Sequence, residues 1–330
     1  MKTIADQLEA AGGTWRGYME DMAAKAPEEP ATCRHPEINT FDDTEQAEVG
    51  DQYATRHNPF MYFHSIIDQQ ASCDRHVVDL KRMKADLRRP KSTPRYSFIS
   101  PNLCHDGHDE PCVNGEPGGL VSANRFLKDV VPQILRSPGF KRRGLLMVTF
   151  DEAEASGDEA DSSACCNEQP GPNTPSPGGP EPGPGGGRVG AVMLSPCIRG
   201  ESVDRTPYNH YSMLRSFEDG FGLAHLGYAA QAGLVPFGGK TFTRTGCGER
   251  MRLSAKGAAG DAAKHTVRFR VRATLARCRR GVKVSFAGRQ RRTGSRGRAP
   301  ITTRKSGKLT ARATKPGCLA DSLRVRVRVG

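Results

Sequence analysis

His105, Asp106, His108 and Asp109 stand within five residues around a single glycine, Gly107, in the stretch FISPNLCHDGHD (98–109). Titratable groups so close together can move protons, hold a cation or contact an anion, and a plain surface turn has no need of them. An Asp-Gly turn with solvated neighbours is the bland alternative. The apolar pair Phe98 and Ile99 leads into Ser-Pro-Asn and then the cluster, as when a strand delivers reacting groups to a sheet edge.

Three further stretches carry candidate chemistry. GLLMVTF (144–150) runs straight into Asp151 and Glu152. Two carboxylates at the end of a buried strand are costly unless a divalent cation compensates, although Glu154 just beyond also allows a plain acidic loop. Carboxylate ligands suit Mg, Ca or Mn, and histidine ligands would admit Zn. In TRHNPFMYFHS (55–65), His57 and Asn58 precede an expected helix, with Asn58 as its cap and Pro59 at its first position. A helix N-terminus favours anions, which would let His57 face a phosphate, while simple capping accounts for Asn58 equally well. TPYNHYS (206–212) places His210 in the same way.

The elements that must position these residues alternate between helical and extended patterns. Ile4, Leu8 and Ala11 share one face of an opening helix that Gly12-Gly13 ends, and 14–19 reads as a strand ending at Glu20-Asp21. Helical spacing follows over 79–87 and 126–135, a strand over 96–100, and a last helix over 211–223. The continuous apolar runs 144–150 and 189–194 read as buried parallel strands. This alternation predicts an α/β layered fold. Pro and Gly dominate 168–187, which reads as a long surface loop bordering Asp151-Glu152.

Charge divides the chain. Residues 250–330 carry 24 Lys and Arg against 2 Asp, a net of +22, whereas 1–249 carry 25 against 34 acidic residues, a net of −9. A boundary near residue 248 follows, between a body (1–248) and a basic accessory domain (249–330). HTVRFRVRA, GVKVSFAG and LRVRVRV alternate apolar and basic residues with period two, which predicts a small all-β sandwich with an arginine-rich outer face. Surface solvation is the plain reading of that face. An anionic cell-surface polymer or lipid is the partner it would select, and no aromatic residues interleave it as nucleic-acid stacking requires. No apolar run approaches the roughly 18 residues of a membrane span.

Ten cysteines, none in a CxxC pair, favour disulfides and an oxidising, secreted or cell-surface setting, yet the N-terminus shows no export signal. Cys104 with Cys112 would close a small loop around the His-Asp cluster. Cys33 with Cys73 and Cys278 with Cys318 are the next pairs, leaving Cys165, Cys166, Cys197 and Cys247 to pair among themselves.

In this order, TIADQLEAAGGTWRGYMEDM, RHNPFMYFHSI, FISPNLCHDGHD, LLMVTFDEAE, GAVMLSPCI and YNHYSMLRSFEDGFGL resemble the bacterial phosphoesterase family over about residues 3–240. That family holds acid phosphatases and phospholipases C on an alkaline-phosphatase-like fold, a layered sheet with helices on both faces. The resemblance implies a divalent metal, a serine or threonine nucleophile and a covalent phosphoenzyme. Asp151 and Glu152 match an acidic metal pair. His57 and His108 match histidines at the phosphate or leaving group. Beside them, Asp106 reads as a catalytic residue that would orient an imidazole or reach the metal, and Asn58 and His210 as phosphate-binding. The substrate would be a phosphorylated small molecule or a phospholipid head group. The family's Glu-Asn metal pair and its nucleophile precede the stretch at which this chain starts. The resemblance therefore implies an N-terminally truncated chain with impaired activity. A non-catalytic relative that binds phosphorylated ligands, or a surface-binding protein acting through its basic domain, are the competing readings.

Overall fold

The computed structural model describes residues 2–154, 157–158, 160–168, 183–198, 200–238, 249–259, 265–273, 278–315 and 318–327. The chain divides into two compact units, one of residues 1–195 and 202–241, the other of 196–201 and 242–330.

The first unit is built on a parallel sheet of β1 (Trp15–Met19), β2 (Val77–Asp79) and β3 (Tyr96–Ser100), in the order β2-β1-β3. Alternation along β1 sends side chains to two different cores. Trp15 and Met19 pack with Ile4, Ala5 and Leu8 of α1 (Ile4–Ala10), with Phe60 and Ile66, and with Leu214 and Phe217 of α7 (His210–Phe221). Tyr18 points the other way, into a cluster with Met83, Phe126 and Val130, the last two from α5 (Gly119–Arg136). Helices thus cover both faces of this sheet.

Helix α1 begins with a complete capping box. Thr3 accepts from the Asp6 amide, and the Asp6 carboxylate accepts from the Thr3 amide at 2.6 Å. The strand over 96–100 stands where the alternating pattern sets it. Helix α5 starts seven residues ahead of its apolar spacing, because the turn at Gly118-Gly119 folds back on the backbone of Asp109, whose carbonyl accepts from the Gly119 amide at 2.9 Å.

Two expectations are corrected. The run 144–150 holds β4 (Leu146–Thr149), but its partner β5 (Ala191–Leu194) is antiparallel, and the two form a separate two-stranded sheet. All four residues of β4 are half-buried, so the run is apolar without being fully enclosed. Nor does Asn58 cap a helix. Residues Pro59–Tyr62 form a single short 3-10 turn, and the Asn58 amide donates to the Tyr53 hydroxyl at 3.0 Å. The side chain is turned toward Tyr53 instead, and its oxygen, the atom a cap would use, is left without a partner.

The second unit is a β-sandwich. One sheet has the order β10 (Arg289–Arg292), β9 (Lys283–Phe286), β12 (Gly307–Lys315), β13 (Cys318–Val327), β6 (Glu249–Arg250). The other has β11 (Arg298–Thr303), β8 (His265–Arg272), β7 (Arg252–Ala259). Val267, Phe269 and Val271 of one sheet meet Val284 and Phe286 of the other in a shared core, with the two phenylalanine rings 4.9 Å apart. Fully burying a side chain of this kind stabilises by roughly 1.5–3 kcal/mol, so strict period-two alternation is enough to define the unit.

Disulfides join Cys33 to Cys73, Cys104 to Cys112 and Cys278 to Cys318, as the spacing suggests. Cys165 pairs with its neighbour Cys166, and Cys197 is also disulfide-bonded. Cys247 lies outside the described residues, as does most of the expected loop 168–187. The described end of that loop turns back on the segment after Asp151-Glu152, with the Ala153 amide donating to the Gly186 carbonyl at 2.8 Å.

Candidate active site

Because β1, β2 and β3 are parallel, their C-terminal ends share one edge, and that edge is acidic. Glu20 and Asp21 follow β1, Asp79 ends β2, and Asn102 stands just beyond β3. Asn102 is buried and acts as a hinge pin. Its side-chain oxygen accepts from the amides of Cys104 at 3.1 Å and His105 at 3.0 Å, and its amide donates to Asp21 at 2.6 Å. His105 Nδ1 lies 3.0 Å from the Glu20 carboxylate, which raises the pKa of the imidazole against the opposing effect of burial. Burial also raises the Asp21 pKa, with the Asn102 hydrogen bond pulling the other way. His105 thus anchors the loop, while the next residues reach outward.

Those next residues are tightly shaped. The Asp106 carboxylate accepts from the His108 amide at 2.8 Å, closing a turn in which Gly107 has φ of +101°. A Cβ at Gly107 would also meet the Phe150 ring at 3.0 Å, so glycine is needed for both conformation and space. At Gly118 a Cβ would stand 2.1 Å from the Asp109 carbonyl oxygen. The disulfide between Cys104 and Cys112 closes the loop from below.

The DGHD turn faces residues from distant parts of the chain. His57 Nδ1 lies 3.8 Å from Asp106 Oδ2, an oxygen that is buried and has no hydrogen-bond partner. Burial lowers the His57 pKa, Arg56 adds to this, and the carboxylates of Asp106, Asp151 and Asp109 oppose it. Burial likewise raises the Asp106 pKa, against the His108 amide that stabilises its anion. His108 is different. Its side chain is 82% exposed, and its Nδ1 lies 2.8 Å from the Asp109 carboxylate, whose hydrogen bond raises the imidazole pKa. His210 Nε2 donates to the Phe150 carbonyl at 3.0 Å, tying the start of α7 to the residue before Asp151. Asn58 is wholly buried beside His57, with its side-chain oxygen unpartnered.

Four separated stretches, around residues 57, 106, 151 and 210, therefore adjoin one another. His57, Asp106 and His108 form the centre, and His210 supports it through the Phe150 carbonyl. Asp151 and Glu152 are exposed, so no burial penalty demands a cation at them. Among the described residues, neither belongs to a group of three ligand atoms close enough to share one ion. The cluster that does, Cys104, His105 and Glu116, has its sulfur committed to the disulfide with Cys112. Glu20 and Asn102 went unread in the sequence. The signal available was their place at a strand end, the same cue that singles out Asp151.

A family model described as the phosphoesterase family matches residues 1–224. A probable acid phosphatase of Kluyveromyces lactis is 24% identical over 230 residues, covering 69% of this chain and 43% of its own. An acid phosphatase of Aspergillus fumigatus is 23% identical over 230 residues, covering 69% and 41%. A phosphate-repressible acid phosphatase of Penicillium chrysogenum is 26% identical over 154 residues, covering 47% and 32%. The chain thus spans less than half the length of each of these relatives. With its HNP, DGHD and FDE stretches all inside the matched span, the chain belongs to the phosphoesterase family.

Proposed function

We propose that this chain supplies the phosphate and leaving-group side of a phosphate-ester hydrolase of acid phosphatase type, on a body with alkaline-phosphatase-like layering. The observation that carries this reading is the meeting of His57 with Asp106, in a half-buried turn whose next residue but one is the exposed His108. His57, whose pKa burial lowers, offers a ring N–H to a phosphate oxygen. His108, with its pKa raised by Asp109, remains protonated at mildly acidic pH and is exposed, so it can donate a proton to a departing alkoxide. Asp106 orients the turn and faces His57. No serine or threonine hydroxyl among the described residues is hydrogen-bonded to Asp106 Oδ2.

Electrostatics favour a divalent cation in this reaction. His57 and His108 sit in the field of Asp106, Asp109, Asp151 and Glu154, which would repel a phosphate dianion. A bound cation would supply the missing positive charge at the phosphate oxygens. The oxygen donors fit Mg, Ca or Mn chemically, with Asp151 and Glu152 the residues to hold it. Their two carboxylates are fewer than the ligands such an ion takes, so water or substrate oxygens would have to complete its shell. The disulfides suit an exported setting, in which a phosphorylated small molecule or a phospholipid head group would be met.

The test is hydrolysis of a chromogenic aryl phosphate at pH 5 with added Mg or Ca, alongside calorimetric binding of orthophosphate. Hydrolysis or saturable phosphate binding that is lost in Asp106→Asn supports the reading. Neither hydrolysis nor binding under any of these conditions overturns it.

A further inference from the structure

The outer face of the β7-β8-β11 sheet presents six exposed cations, Arg252, Lys256, Arg268, Arg270, Arg272 and Arg298. Its registers set these directly against one another. Arg298 faces Arg270, Lys256 faces Arg268, and Arg252 faces Arg272. Like charges directly opposite across a ladder are destabilising, and here three neighbouring rungs carry them. No Asp or Glu occurs in any of the three strands, and among the described residues none of the six has an ion-pair partner. Solubility alone is served by mixed signs, and protection of sheet edges would place charge on β7 and β11 rather than three arginines on the central strand.

We propose that this face binds a linear phosphate-bearing polymer. Positions two residues apart on β8 recur every 6.8 Å or so along the strand, and the Cβ atoms of opposed residues stand about 5 Å apart across it. An extended chain of anions can therefore run along β8 and meet a pair of cations at each rung. Tetrahedral oxyanions suit such pairs. Each internal phosphate of such a polymer carries one charge and two non-bridging oxygens, whose lone pairs can accept from both cations of a rung. The preference for phosphate over sulfate rests on the hydrolase reading of the body. A membrane is the poorer partner, because no large apolar side chain among the described residues of this unit is exposed to enter a bilayer. Nucleic acid is poorer too, since Phe269 and Phe286 are buried in the sandwich core and, among the described residues of this unit, no aromatic ring is left to stack on bases.

The experiment measures binding of the full chain to fluorescently labelled long-chain inorganic polyphosphate across a salt series, needing no turnover. Two triple variants remove equal charge, Arg268→Gln/Arg270→Gln/Arg272→Gln on this face and Lys308→Gln/Arg324→Gln/Arg326→Gln on the opposite sheet. Removing three contacts on the proposed face should weaken binding at least about 10-fold and flatten the log–log salt slope by about 2. The opposite-sheet variant should lose less than about 3-fold. Thermal unfolding checks that both variants fold, and the single Arg270→Gln replaces the first if it does not. Unchanged binding in the first variant, or equal losses in both, overturns the proposal. So does tighter binding to heparin, single-stranded DNA or phosphatidylserine vesicles than to polyphosphate. Loss of phosphate-ester hydrolysis with polyphosphate binding intact would count against the body's reading and leave this one standing.

Discussion

The two units use charge in opposite ways. In the body, charges are drawn inward and paired. Arg34 is buried and grips Asp51 through two hydrogen bonds of 3.1 and 2.7 Å, and buried Asp86 accepts from the Tyr18 hydroxyl at 2.9 Å while meeting Arg16 at 3.1 Å. In the sandwich, the core is apolar and the arginines face outward without ion-pair partners among the described residues. The contrast teaches where each unit's specificity lies. Buried pairs are costly to break and so hold the segments they join, whereas an exposed array attracts a ligand without shaping it.

The largest effect expected breaks the body's side of this comparison. Arg34→Met leaves Asp51 buried with Lys25, at 3.6 Å, and the Tyr53 amide, at 3.4 Å, still in reach, and should cost about 3 kcal/mol or more by chemical denaturation. Arg270→Gln in the sandwich should change stability by no more than about 0.5 kcal/mol, and toward greater stability, because it relieves the clash with Arg298. Equal losses from the two would erase the distinction.

Next in size, His108→Ala should lower hydrolysis at least about 100-fold, or about 2.7 kcal/mol of transition-state stabilisation, with the unfolding midpoint unchanged. The exposure of His108 makes a stability effect unnecessary. Replacing Cys104 and Cys112 together by serine opens a short loop, and should cost about 2–3 kcal/mol with activity falling as the DGHD turn loosens.

The smallest effect concerns pH. Glu20 raises the His105 pKa above its ordinary 6.5. As pH rises the unfolded chain gives up that proton first. The pair's stabilisation is therefore complete below about pH 6.5 and is lost as pH climbs through the elevated native value. His105→Gln should flatten the stability profile in that window. A profile with the same slope in both proteins would show that the pair stores no such energy.

Much of this was legible from residue types. Strict alternation in HTVRFRVR leaves one solution, since a slip of one residue would bury arginine. His57, Asp106 and His108 could be singled out because they concentrate titratable groups beside turn formers. The 144–150 run was less informative, since an unbroken apolar stretch suits a buried parallel strand and a half-buried antiparallel one alike. Asn58 looked like a cap because nothing local reveals that its side chain would turn toward Tyr53. Glu20 and Asn102 are polar residues just after strands, and only the three-dimensional edge gives them meaning.

The claim at the centre is that His57 and His108 handle one phosphate together. Imidazole resonances of the full chain, followed by NMR during titration with orthophosphate in the presence of Mg, test it most directly. His57 and His108 should shift together and saturate at one phosphate per chain, while the exposed His64, paired with Asp68 at 3.0 Å, stays put. No saturable shift at His57 and His108, or shifts no larger than that of His64, would contradict it.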